Sequence, residues 1–463
     1  MPDVKVPIVG GDKVADDTDY YDALPVNLYA VMRDVLGSKG YLYSHDGLDL
    51  FGTGQGIDRG GFYSERMLRH FRVSGQKLVE VAASGVSVLG DISGINQAVM
   101  ACSFNTLLVV ADGNAYLFDG STLSQITDGD LGFPISATWI DGYYVFTDGE
   151  YIYHTDISSE SSIDPLKFAT SEISPDRSMA VGRTQDDLLI VFNRYSTEYF
   201  INAANEQFAF TRLTQKAINY GIVGPRAWTQ IDGTIFMLGS RKSEGAGVHA
   251  LGVGQVLPVS TRTIEKVIGQ YTDSELYTAV VESRTSDRDK LVYVHLPNET
   301  LLFNHTAAEK MGPESAWSIL KTGQSKWRGI NGVFDPNLKQ WFFGDKLGAN
   351  IGTLNPKSAA QFGDSVHSEF YSPLIPIDSA SVDELEIKTV SGFCSESVNF
   401  FVSTTRDGAS FSSEWSQEIA APYQYGLRYI VRRLGYVRNH IGFKFRGLHK
   451  DKINVSGLMV RYG

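Results

Sequence analysis

Apolar strands that end in polar turns recur along most of this chain, and that recurrence confines it to an all-β architecture. The second strand of each unit is clearest: Leu107–Val110 before Ala111-Asp112-Gly113, Tyr143–Phe146 before Thr147-Asp148-Gly149, and Leu188–Phe192 before Asn193-Arg194. Thr234–Leu238, Leu291–His295 and Gln340–Phe343 continue the series, and Arg69–Val73 before Ser74-Gly75 is a weaker early copy. Copies are separated by the length of a four-stranded propeller blade or somewhat more. Asp-Gly pairs, of which the chain has eight, supply the positive φ angles of tight hairpins at most of these corners. The units fall near residues 57–92, 96–130, 135–172, 178–216, 225–262, 277–320 and 327–355. The first and last are weak, so the expectation is a β-propeller of six or seven blades.

Between two units, Ile264–Tyr271 and Asp273–Val280 have helical spacing and are expected as short inter-blade helices. After about Gly363 the texture changes. Strands at Glu384–Val390, Val398–Thr404, Tyr429–Leu434, Ile441–Arg446 and Ile453–Val460 alternate as in an antiparallel β-sandwich. The expected division is an irregular N-terminal arm over 1–55, a propeller over 56–360 and a C-terminal sandwich over 361–463. Within the arm, Tyr29–Leu36 could form a helical turn or two, stopped at Gly37.

Charge is unevenly placed. From Ala421 to Gly463, nine basic residues face one acid, Asp451, giving +8; with −12 overall, residues 1–420 carry −20. Such polarity suits an oriented molecule whose one end meets anionic or acidic partners. In Ile441–Arg446 the alternation sets Ile441, Phe443 and Phe445 on one face and Lys444 and Arg446 on the other. The basic side chains are expected as an exposed ladder, with Arg432, Arg433, Arg438, Lys444 and Arg446 as interaction residues.

Signs of catalysis are few. The nine histidines form no His-x-His or His-Glu-x-x-His, and the two cysteines, Cys102 and Cys394, form no Cys-x-x-Cys, so no metal or cofactor is expected. Gly52-Thr-Gly54-Gln-Gly56 lacks the Lys-Ser/Thr of a phosphate loop. Thr405–Phe411 is similar to a sialidase aspartate box, but its glycine comes one position early and it occurs once. No stretch reaches the roughly 18 apolar residues of a membrane helix. Met1-Pro2-Asp3-Val4-Lys5 is no secretory start, so synthesis in a cytoplasm with reduced thiols is expected.

The arm Asp19-Tyr20-Tyr21-Asp22-Ala23-Leu24-Pro25-Val26-Asn27 resembles the N-terminal signature of the tail hub of short-tailed phages, also called the packaged DNA stabilisation protein or tail accessory factor. Collinear matches follow at Thr197–Phe200, Ile264–Ile268, His295–Pro297 and Leu320–Gly323 with Arg328-Gly329. The clearest is Arg432-Arg433-Leu434-Gly435-Tyr436-Val437-Arg438 followed by Ile441–Arg446. The resemblance implies a structural virion protein, not an enzyme, made in the host cytoplasm. It implies a homo-hexamer docked below the portal-adaptor ring, closing the channel over packaged DNA and holding tailspikes and needle. Tyr20, Tyr21, Leu24, Pro25 and Asn27 are then interaction residues that pack on a neighbouring chain or another domain. Two alternatives are a carbohydrate- or receptor-binding module using Tyr20, Tyr21, Tyr143 and Tyr144, and a propeller glycosidase.

Overall fold

The computed structural model describes residues 3–9, 23–171, 175–252, 255–286 and 289–463. Seven antiparallel sheets follow one another around a ring. Blades one to five each run in chain order from inner to outer strand, beginning with Asp58–Ser64, Val99–Cys102, Ser136–Ile140, Ser178–Arg183 and Trp228–Ile231. Blade six begins at Val280–Thr285 and has five strands. The Asp-Gly corners behave as their chemistry requires: Asp112 and Gly113 have φ of 46° and 77°, and Asp141 and Gly142 of 51° and 93°. Second strands such as Leu107–Ala111 and Leu189–Asn193 are buried throughout, so the core lies between blade faces.

Blade seven closes the ring with a borrowed strand. Gly329–Asp335, Gln340–Asp345 and Asn350–Asn355 are followed in the sheet by Gly47–Thr53, which pairs antiparallel with Asn350–Asn355. Phe51 on that strand meets Phe342 edge to face at 5.0 Å. The inner strand of blade seven packs against that of blade one.

Helices Arg262–Ile268 and Asp273–Leu276 sit between blades five and six as expected, capped by Thr261 and by a Thr272–Glu275 capping box. The sandwich has two sheets. One is ordered Asp3–Pro7, Gly457–Tyr462, Ala380–Lys388, Tyr429–Val437; the other is Val366–Tyr371, His440–His449, Val398–Thr405, Trp415–Ala420. Ile441, Phe443 and Phe445 point into their shared core with Leu385, Val437 and Val460. A small sheet of Leu28–Val31, Tyr41–Ser44 and Asn454–Val455 adds a further link between the N-terminal segment and the sandwich.

Two expectations for the N-terminal segment are corrected. Leu28–Val31 is a strand, not a helical turn, because Leu28, Tyr29 and Ala30 are all buried and a short apolar run covered on both faces suits a strand. The described part of residues 1–55 is also not an irregular arm: Asp3–Pro7 joins the sandwich and Gly47–Thr53 joins the propeller.

Candidate functional site

The propeller axis is where propeller enzymes place their chemistry, and here its polar groups are spent on one another. The Arg72 guanidinium donates to Asp58 at 2.7 Å and to the Asn331 carbonyl at 2.9 Å. The Asn331 amide donates to Asp58 at 2.8 Å, and its oxygen accepts from Arg226 at 2.9 Å. Arg226 also donates to the Ala98 carbonyl at 2.7 Å, so blades one, two and seven are tied to the segment entering blade five. The Gly332 N–H donates to Glu282 at 2.9 Å, and Glu282 continues to His295 at 2.7 Å and on to Lys346 at 2.9 Å. Burial lowers His295 to about 4, so its neutral ring gives its Nε2 proton to Glu282 and accepts from Lys346 at Nδ1. Burial also pulls Lys346 down to about 7. Burial alone would raise Glu282, but His295, Gly332 N–H and Arg226 together hold it below its ordinary value. Among the described residues no three His, Cys, Asp or Glu side chains converge as metal ligands do. A cavity of about 480 Å³ remains at one mouth, lined by Asn96, Gln97, Phe133, Arg226 and Tyr277.

Where blade six meets the sandwich, Leu24–Asn27 is wedged between Trp317–Thr322 and Val366–Tyr371. The Val26 N–H donates to the Glu369 carbonyl, and the Asn27 N–H to the Ile319 carbonyl, both at 2.8 Å. Asn27 holds the left-handed φ of 56°, donates from its amide to the His367 carbonyl at 2.6 Å, and accepts from Lys321 N at 2.9 Å. Leu24 and Asn27 are therefore buried and Pro25 half-buried within their own chain, not presented to a neighbour. Of the two placements expected, a neighbouring chain or another domain, these three residues take the second, between blade six and the sandwich; Tyr20 and Tyr21 lie outside the described residues. Nearby, the Asp46 carboxylate takes both Arg284 and Lys452 at 2.6 Å, tying the N-terminal segment to blade six and the sandwich. Burial works against that charge, yet the two cations hold Asp46 well below the usual carboxylate range, while burial brings Lys452 down to about 8.

The five basic residues expected as one ladder are divided between two sheets whose outer faces point apart. Lys444 and Arg446 lie on His440–His449, and neither is free. Arg446 grips Glu414 with two bonds of 2.5 Å, and Lys444 lies 3.3 Å from Glu369. Glu369, despite partial burial, is drawn down to about 2 by His367, Tyr371 and Lys444. Arg432, Arg433 and Arg438 are exposed on or just past Tyr429–Val437, the edge strand of the other sheet. A β-bulge there sets Val382 opposite Gly435 but Glu384 opposite Arg432. Arg433 and Gly435 take φ of 63° and 84°, and Arg432 and Arg433 both face outward in succession. Arg406 donates to the carbonyls of Leu434 and Tyr436, blunting the edge. Arg432 is 3.6 Å from Glu384; Arg433 and Arg438 have no acid within ion-pair distance among the described residues.

A second exposed surface escaped the sequence reading. Phe393, Tyr423, Tyr425 and Leu427 are 79%, 85%, 62% and 50% exposed, on two loops laced together by Tyr423 N–H to the Gly392 carbonyl and Ser391 Oγ to the Gln424 carbonyl. Phe393 meets Tyr425 edge on at 5.3 Å, and Tyr425 lies so close over Gly392 that a Cβ there would be 2.4 Å away. The available signal was two tyrosines between Pro422 and Gly426, large aromatics in turn sequence. Tyr144, by contrast, is fully buried and donates to the Thr106 carbonyl at 2.7 Å, and Tyr143 is half-buried against His154. They offer no exposed sugar platform, which corrects that expectation. Cys102 and Cys394 are free thiols.

A family described as bacteriophage P22 Gp10, β-propeller, matches residues 4–359, and its β-sandwich counterpart matches residues 367–463. The chain belongs to the bacteriophage P22 Gp10 family. It is 30% identical over 482 residues to the tail hub protein gp10 of Salmonella phage P22, covering 100% of each chain. Its role is thus structural, in a phage tail hub, and its place is the virion. Among the described residues no helix is long and apolar enough to cross a membrane. Solved propellers are far more distant. A virginiamycin B lyase from Staphylococcus aureus is 10% identical with a TM-score of 0.43, over 66% of this chain and 97% of that one. PorZ of the Porphyromonas gingivalis type-IX secretion system is 12% identical with a TM-score of 0.40, over 66% of this chain and 37% of that one. Neither bears on function.

Proposed function

We propose that the chain is one subunit of a six-membered hub ring that docks below the portal-adaptor ring, closes the channel over packaged DNA and anchors tailspikes and needle. The observation that carries this reading is the full-length relation to a tail hub protein. The architecture agrees with it in kind. Chemistry would need an open, reactive centre, whereas the polar groups of this axis are bound to one another. A propeller and sandwich tied through Asn27 and Asp46 make one stiff body, which suits a part that bears load. Two exposed surfaces lie on the sandwich: the arginine edge at Arg432, Arg433 and Arg438, and the aromatic patch at Phe393, Tyr423 and Tyr425. The channel is then a property of the ring, formed between subunits. Electron microscopy of the purified chain with its adaptor ring tests this: six-fold rings seated on the adaptor are expected. Monomers that never join the adaptor, or particles that keep their DNA without the chain, would overturn the reading.

A further inference from the structure

The arginine edge lies on the sandwich, and a row of acidic turns runs along one face of propeller blades three to five. The sandwich is fastened at blades six and seven, where Val26 bridges Ile319 and Glu369, and the Phe362 N–H donates to the Leu48 carbonyl. Within it, Lys388 and Gly457 mark the end held at that junction, where they share a pocket with Met311 of blade six. The register Val382–Gly435 and Ala380–Val437 carries the bulge to the other end, away from the propeller.

On one face of the ring, the turns after the inner strands of blades three, four and five carry Asp141, Asp186, Asp187 and Asp232, all exposed. Glu206, also exposed, lies on the same face, in the turn after the third strand of blade four. The turns adjoin. Asn202 of blade four donates to Asp141 of blade three at 3.1 Å, and a Cβ on Gly233 would lie 2.8 Å from Gln185. Arg183 and Lys290 offset part of the charge by pairing with Asp187 and Asp232, and Asp186 and Glu206 have no ion-pair partner among the described residues. Ile157, 68% exposed, touches the Asp141-Gly142 turn, and Tyr436, 57% exposed, stands among the arginines, so each surface holds an apolar contact beside its charges.

We propose that copies of the chain meet head to tail, the arginine edge of one sandwich seated on the acidic turns of blades three to five of the next copy. Unlike surfaces on one body give a heterologous contact, which closes into a ring when the rotation allows. Arginine suits the role because its planar fork binds carboxylates with two bonds. This inference rests on the ring reading above and adds which faces meet.

The test is a charge exchange on the full-length chain, read by sedimentation and imaging with the adaptor ring. Arg433→Glu with Arg438→Glu, and separately Asp186→Lys with Glu206→Lys, should each weaken self-association by roughly tenfold or more at low salt, as close charge pairs do. None of these four residues makes an ion pair among the described residues, so melting temperatures should match the wild type. Combining all four changes should restore rings. Rings unaffected by either pair, or impaired by one and not rescued by the combination, would overturn this inference and leave the hub reading intact. A wild-type chain that never forms rings would overturn both.

Discussion

Three histidines show how strongly single residues set the behaviour of this scaffold. His45 gives its Nδ1 proton to the Asp46 carbonyl at 2.9 Å and accepts from Tyr293. His449 gives its Nδ1 proton to the Asp451 carbonyl at 2.7 Å and accepts from Ser368, and His295 is held between Glu282 and Lys346. Burial pulls them from 6.5 to about 3, 4 and 4 for His45, His295 and His449. A lowered folded value means the unfolded chain binds these protons first. The stability these three histidines hold is thus whole above about pH 6.5 and falls by several kcal/mol as pH drops toward about 4. Denaturant midpoints measured from pH 7 to 5 should fall, and a midpoint flat over that window would contradict the arrangement. Asn27 is a second lever. Asn27→Ala strips partners from His367 O and Lys321 N and leaves a Cβ-bearing, non-bonding residue in the left-handed region, a cost of about 2–4 kcal/mol in denaturant titration. A loss below about 0.5 kcal/mol, as at a surface site, would refute the wedge.

At the scale of elements, the blades were legible because each Asp-Gly corner marks a hairpin and each second strand is apolar along its whole length. The closing strand was not. Gly47–Thr53 contains Gly47 and Gly52, which weaken any strand pattern, and its partner Asn350–Asn355 lies far along the chain. The site was less legible than the fold for the same reason. Nothing near Arg446 or Lys444 in sequence announces Glu414 or Glu369, so an alternating strand looked like a free basic ladder. The bulge at Arg433 likewise depends on register with Val382 and Glu384, which one strand cannot reveal. The closing strand makes a prediction of its own. A Cβ at Gly47 would lie 2.4 Å from the Ala360 carbonyl oxygen, a backbone atom with little room to yield. Gly47→Ala should cost about 1–3 kcal/mol in thermal or denaturant unfolding, the scale of overpacking. An unchanged stability would show that blade seven does not need the strand where it lies.

For the whole molecule, the patch at Phe393, Tyr423, Tyr425 and Leu427 gathers four large, exposed apolar side chains on two adjoining loops, a grouping suited to an interface. Tyrosines held by neighbouring loops lose little entropy on binding and serve as anchors. Tyr423→Ala with Tyr425→Ala should leave the monomer's melting temperature unchanged and weaken attachment of one tail component by about 2 kcal/mol or more. Normal attachment of every component would remove the patch from the assembly. The chain's path adds a constraint of timing. Asp3–Pro7 pairs with Gly457–Tyr462, so the first described strand of the protein waits for the last. Between them the whole propeller is made, and the sheet that carries the arginine edge stays incomplete until residues 457–462 leave the ribosome.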